Sequence, residues 1–291
     1  MYTADVTSAS TSTGLPSGIR GEGDGRWVIG RGKKIPGTVT LPWESPQSVT
    51  VHAEEGSRAT VFLTLPSGVE GEKNLDVTLA ATSSLALIVL ASGLGRAKIT
   101  QRIRVGEGAV CRLLNVTLGG RGVEQEAVAT VEGAGGVSSV DWVFHAAGED
   151  VQKLSVRNVF LARDGGGDVT MRGIAEGRAE VRCDGMMEIG EGGGGTAASL
   201  TQHVLMLDAS AKVDAVPALR IKTEDVKAGH TATVTKVSEE ELFYFASRGI
   251  PREEARRMYI RGFLGGLLGK VEDEKVRDVL EREMEECRMK N

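Results

Sequence analysis

A mainly β body followed by a short helical tail is what this 291-residue sequence predicts, on three observations. Glycine is abundant at 39 residues while aromatics make up only 4%, which suits narrow layers filled by Val, Ile, Leu and Ala rather than large rings. Strand-like runs of roughly alternating apolar and polar residues recur from about residue 75 to 237, between glycine-bearing turns and without a helical period. At Ser238 the pattern switches to capped helices.

Taken in order, residues 1–20 are rich in Ser, Thr, Gly and Pro and read as a flexible tail ahead of a core domain over 21–237. Short strands such as Trp27–Ile29 and Ala59–Leu65 open that core, punctuated by Gly and Pro. The long middle offers Leu75–Ala80, Ser84–Leu90, Lys98–Val105, Val110–Leu118, Glu126–Val131, Val137–His145, Lys153–Leu161, Asp168–Ala175, Arg178–Ile189 and Ala197–Leu207. Lys98–Val105 alternates most clearly. So many short strands fit a sandwich, a barrel or a solenoid. A solenoid gains from the recurrence of one turn form, apolar–Gly–acidic–Gly, in Val105–Val110 and Ile189–Ala197, because strands after like turns stack rung on rung.

The tail occupies 238–291. Ser238 and Glu241 form a capping box, and Gly249 is a left-handed C-cap. Pro251 opens a second helix, where its missing N–H costs no helical hydrogen bond, with Ala255, Met258, Phe263, Leu264, Leu267 and Leu268 as apolar positions. A third, charged helix from about Glu272 to Lys290 lines up Val276, Val279, Leu280 and Met284.

Several function classes recede on composition. A net charge of −5 gives no basic footprint for nucleic acid. The polar N-terminus lacks a secretory pattern, and the longest apolar run, Leu85–Ala91, is far short of the ~20 residues that cross a bilayer, so a soluble cytoplasmic protein is expected. Cys111, Cys183 and Cys287 are scattered, with no CxxC pair for zinc and no disulfide framework. The loop Gly190–Gly195 lacks a following Lys-Ser/Thr and leads into a strand, so it reads as a turn and not as a phosphate cradle. His52, His145, His203 and His230 fall into no Ser/His/Asp arrangement, and the residues by themselves give a non-catalytic reading.

Three motifs add a resemblance. Leu219-Arg220-Ile221 through Asp225-Val226 to His230-Thr231-Ala232-Thr233, then Leu242-Phe243-Tyr244 with Ser247-Arg248-Gly249-Ile250, then Glu253-Glu254-Ala255 with Ile260 and Gly262-Phe263, resemble the SufB/SufD family of Fe–S cluster assembly proteins in order and spacing. The match runs from about Thr196 to Leu268, and the long N-terminal helical domain of bacterial members has no counterpart, as in minimal archaeal-type scaffolds. The resemblance implies a right-handed parallel β-helix with a C-terminal helical segment. It implies a non-catalytic scaffold that holds a transient iron–sulfur cluster at a dimer interface. It further implies as partner the ABC-type ATPase SufC, expected to bind and hydrolyse the nucleotide and to dock on the helices.

Carried over residue by residue, His230 stands at the interface histidine of SufD-type members. Thr231 replaces the glutamate of SufB-type members, and His203 falls where they have the essential cysteine; an imidazole binds iron but cannot carry a persulfide. Cys183 is the nearest alternative thiol. The candidate cluster ligands are therefore His230, His203 and Cys183, and the candidate ATPase-docking residues are Leu242, Phe243, Tyr244, Arg248, Phe263 and Leu267. The chain is expected to act as a homodimer, or as a SufD-like structural subunit paired with a cysteine-bearing SufB chain. A polysaccharide-binding β-helix is a remote third reading, against which stand only three Trp and three Tyr.

Overall fold

The computed structural model describes residues 15–43, 47–237 and 239–289. Ser238 and residues 1–14 of the expected tail lie outside the described residues, as do the side chains of Glu241 and Leu242. The chain forms β1 (Ile19–Gly21), β2 (Arg26–Ile29), β3 (Lys34–Pro42), β4 (Ser48–Ala53), β5 (Arg58–Leu65), β6 (Gly71–Leu79), β7 (Ser84–Ser92), β8 (Arg96–Val105) and β9 (Val110–Leu118). It continues through β10 (Gly122–Val131), β11 (Val137–Ala146), β12 (Val151–Phe160), β13 (Gly166–Ala175), β14 (Glu180–Ile189), β15 (Thr196–Met206), β16 (Lys212–Ile221) and β17 (Val226–Lys236). Helices α1 (Glu239–Ala246), α2 (Arg252–Leu268) and α3 (Glu274–Met289) follow.

Successive strands alternate between two sheets. Among the described residues, β1 and the even strands make a nine-stranded sheet, and the odd strands from β3 to β17 make an eight-stranded one. Every pairing is parallel except β1 with β2. The result is a parallel β-solenoid of about eight turns, the expected β-helix. Coil length drifts, from Lys34 opposite Arg58 near one end to Glu180 opposite Lys212 near the other, which is why the sequence shows no strict repeat.

One corner is stacked with unusual regularity. Gly32, Gly56, Thr82, Gly108, Gly135, Asp164 and Gly195 occupy it on successive rungs, with φ between +56° and +77°. Each donates its N–H to a carbonyl of the next corner, from Gly32 to Glu55 at 2.8 Å through to Gly195 to Asp225 at 2.6 Å. The left-handed backbone explains the glycine-rich turns, and Thr82 and Asp164 adopt it despite their Cβ. Mid-strand Gly173 has a different reason: a Cβ there would lie 2.0 Å from the ring of Phe144, its neighbour across β11 and β13.

The inner faces of both sheets share one core of mostly aliphatic residues. The outer face of the nine-stranded sheet meets solvent, so its strands alternate; Lys98, Arg102 and Arg104 of β8 point outward. The eight-stranded sheet also carries an apolar patch on its outer face, under the helices. Leu85, Leu87 and Val89 of β7 face inward while Ile88 and Leu90 face α2 and α3, so the apolar run Leu85–Ala91 is a doubly buried strand. Against that outer face pack Ile260, Leu264, Leu267 and Leu268 of α2, and Val276, Leu280 and Met284 of α3.

Three local expectations need correction. Gly166 and Gly167, read as turn, begin β13. Pro251 is the N-cap of α2 and not its first helical residue, its carbonyl accepting from the N–H groups of Glu254 and Ala255. Met258, read with the apolar face, is 48% exposed, while Ile260 takes its place in the packing. Gly249 has the expected left-handed φ of +76°. No helix among the described residues is long and apolar enough to cross a membrane.

Candidate functional site at the open end of the solenoid

The last rung, β16 and β17, ends both sheets, so each strand is paired on one side only. Within the body, an inward side chain is covered by the rung above. Here nothing among the described residues covers it, and the inward Ile221 and Val234 are 41% and 44% exposed. An end that leaves both backbone edge groups and aliphatic side chains in water is a template for a second chain.

His230 lies on this end strand and is exposed. It is level with Leu200 of β15, an inward-facing core residue, so it takes the inward face of the terminal rung. His203 is level with Thr233 and with Arg172, three positions further along, and so faces the opposite, helix-covered side. An odd offset of three positions thus puts the two imidazoles on different faces of the same sheet. Beside His203, Arg172 donates from Nη1 to the Phe263 carbonyl at 3.1 Å and its guanidinium lies 5.4 Å from the Phe263 ring, pinning α2 to the sheet.

Cys183 points into the core from β14 and is fully enclosed. Burial, helped by Asp184 and Asp214, pushes its thiol up, so it stays protonated. Burial likewise pushes Cys111 up to about 12. None of the three cysteines is in a disulfide. Among the described residues no three His, Cys, Asp or Glu side chains converge where they could hold a metal ion. The chain by itself thus does not bring His230, His203 and Cys183 together.

The docking candidates divide. On α1, Phe243 is 72% and Tyr244 54% exposed, and the Arg248 guanidinium sits 4.4 Å from the Tyr244 ring. Leu267 is buried against the eight-stranded sheet and Phe263 is half-buried there, so the solenoid occupies their apolar faces. The side chain of Leu242 lies outside the described residues.

A charged cluster that sequence reading missed ties α2 to the turns of the solenoid. Arg256 donates to Asp208 at 2.9 Å and to Glu176 at 3.3 Å, and Glu176 meets the buried His145 Nε2 at 2.8 Å. Burial acts to raise the Glu176 carboxyl, but hydrogen bonds and charge from His145 and Arg256 outweigh it and leave it below the usual range. Asp208 is held low chiefly by its hydrogen bond to Arg256. The four residues come from three strand ends and a helix, so no local spacing signals them.

Against this geometry stand the comparisons with known proteins. Residues 44–263 match the family model for the SUF system FeS cluster assembly SufBD core domain. This chain is a SufBD family protein. It is 30% identical over 258 residues to an iron–sulfur cluster assembly SufBD family protein of Mycobacterium tuberculosis, covering 84% of this chain and 64% of that one. It is 29% identical over 166 residues to a SufBD family protein of Mycobacterium leprae, covering 57% and 19%. It is 34% identical over 133 residues to the iron–sulfur cluster assembly protein SufD of Bacillus subtilis, covering 46% and 30%. The SufBD chain thus spans less than two thirds of each of these relatives.

Proposed function

We propose that this SufBD protein carries nascent Fe–S clusters, as cargo, at an interface formed when its terminal rung pairs with a second SufB/SufD-type chain. The observation that carries this reading is the exposed His230 on an edge strand, among uncovered aliphatic side chains. His230 sits next to the middle of the eleven-residue β17, so two-fold pairing of that edge sets two copies of it near the axis. Iron then takes ligands from both chains, which fits a single chain whose described residues offer no converging set. The exposed ring pair of α1, with Arg248, is the surface for an ABC-type ATPase of the SufC class, which supplies ATP hydrolysis in the cytoplasm while this chain acts without catalysis of its own.

A second reading is favoured by the enclosure of Cys183: the chain is a SufD-like structural subunit, and a cysteine-bearing SufB partner supplies the thiolates. Anaerobic reconstitution with iron and sulfide, followed by UV–visible spectroscopy, separates the two. A cluster on the chain with its ATPase alone, lost in His230→Ala, supports the homodimer. A cluster only after adding a SufB-type chain supports the second reading. A cluster indifferent to His230→Ala in both settings refutes the assigned site.

A further inference from the structure

From β8 onward the solenoid core changes character. The inner faces now carry Gln101, Asn115, Thr117, Gln125, Ser138, Gln152 and Asn158, each no more than 2% exposed. Some satisfy one another completely. The amides of Gln101 and Asn115 exchange two hydrogen bonds, at 2.9 and 2.8 Å. Within this set of seven side chains, four atoms find no partner among the described residues: Gln125 Nε2, Gln152 Oε1, Ser138 Oγ and Asn158 Oδ1.

At Gln152 and Asn158 the orphans do not vanish by exchanging O and N, because the amide nitrogens there face carbonyl oxygens. Trp142 Nε1 can only donate, and it donates to Thr117 Oγ1 at 3.0 Å. The Thr117 hydroxyl, accepting there, gives its own proton to Gln125 Oε1 at 2.8 Å, and the Gln125 N–H groups point elsewhere. Gln152 Nε2 donates to two carbonyls, Gly119 at 2.9 Å and His145 at 3.0 Å, which leaves its oxygen bare. Asn158 Nδ2 donates to the Ser138 carbonyl at 2.7 Å, so its bare atom is again the oxygen, within one residue of the bare Ser138 hydroxyl.

The orphans thus fall into two pairs. Gln152 of β12 is level with Val123 of β10, so Gln125 lies two positions along the adjacent strand on the same inner face. Strand spacing and rise set such diagonal neighbours roughly 8 Å apart at Cα, a separation two amides span through one intervening molecule and its two hydrogen bonds. One orphan of this pair only donates and the other only accepts, both are neutral, and both are sealed from solvent. A cation is repelled by the N–H groups and an anion by the amide oxygen; water alone accepts from one and donates to the other.

We propose that the core of this solenoid binds two structural waters, one bridging Gln125 Nε2 to Gln152 Oε1 and one bridging Ser138 Oγ to Asn158 Oδ1. The first braces the corner where Gln152 holds the Gly119 and His145 carbonyls, and the second braces the junction between β11 and β12. The sites belong to the folded chain and do not depend on its role in cluster assembly.

A crystal structure of the full chain, at a resolution that orders solvent, tests both sites. Solvent density within hydrogen-bond reach of both atoms of a pair is the expected result. Absence of density at a pair, or a direct bond between its two side chains, overturns that site. Ser138→Ala gives an independent test by sign. With the water present the variant loses a hydrogen bond, so its urea midpoint falls and the density at Asn158 weakens or disappears. If the hydroxyl were instead an unsatisfied buried group, its removal would relieve a penalty. An unchanged or raised midpoint therefore overturns the second site.

Discussion

Replacing Arg256 with methionine removes the one cation that faces both Glu176 and Asp208 from α2. Its side chain is 16% exposed, against 19% for Glu176 and 36% for Asp208. Breaking a fully buried ion pair costs about 3–5 kcal/mol, and an exposed one about 0–1. The cluster is partly buried, and Glu176 keeps His145 as a partner, so the expected loss is about 2 kcal/mol, read as a lower urea midpoint. Arg256→Lys keeps the charge but not the two-pronged geometry and should recover roughly half of that, in line with the limited interchange of the two side chains. Amide hydrogen exchange should accelerate through α2 while the inner strands remain protected. The pH dependence adds a sign. Glu176 and Asp208 are both held below their ordinary values of 4.5 and 3.8, so their contribution is present above those values and is lost as pH falls through the lower folded ones. The gap between wild type and Arg256→Met should therefore narrow in acid, below about pH 4. A midpoint change equivalent to less than about 0.5 kcal/mol, the size expected of an ordinary surface substitution, refutes the view that this cluster fastens the helices.

Other outcomes follow from single positions. Thr82→Gly relieves a β-branched residue at φ +56° on an exposed corner and should raise stability by about 0.5–1 kcal/mol in urea denaturation. Gly173→Ala drives a methyl group to within 2.0 Å of the Phe144 ring and should cost about 3 kcal/mol or prevent folding, measured by the same assay. A thiol reagent should leave Cys111 and Cys183 untouched in the native protein and modify both after unfolding, because each thiol is enclosed and held protonated. Mass spectrometry of the labelled peptides checks this; native labelling of Cys183 contradicts its place in the core.

What the sequence determined by itself was everything with a short period. Alternation over two residues marked β8 as a strand with one wet face, glycines marked the corners, and the Gly249 cap and the apolar stripe of α3 marked the helical tail. Those signals are written within one turn or one pleat, where neighbours in the chain are neighbours in space. Thr82 stayed hidden as a corner residue because the stacked hydrogen bonds of adjacent rungs, and not its own preference, hold it there. Stacking into two sheets was only suggested, since coils of drifting length leave no fixed repeat to count. The motifs after Ala218 named the family, yet the tertiary structure decided what their residues can touch. Three positions of register put His203 under the helices and His230 on the open rung, and the inward face of β14 encloses Cys183. Leu267 belongs to the second core for the same reason: α2 folds back over strands far earlier in the chain. Arg256, Glu176, Asp208 and His145 meet only because three coils and a helix close on one another. Contacts of that kind depend on register across rungs, which is fixed by the summed packing of the whole solenoid and appears in no local window of sequence.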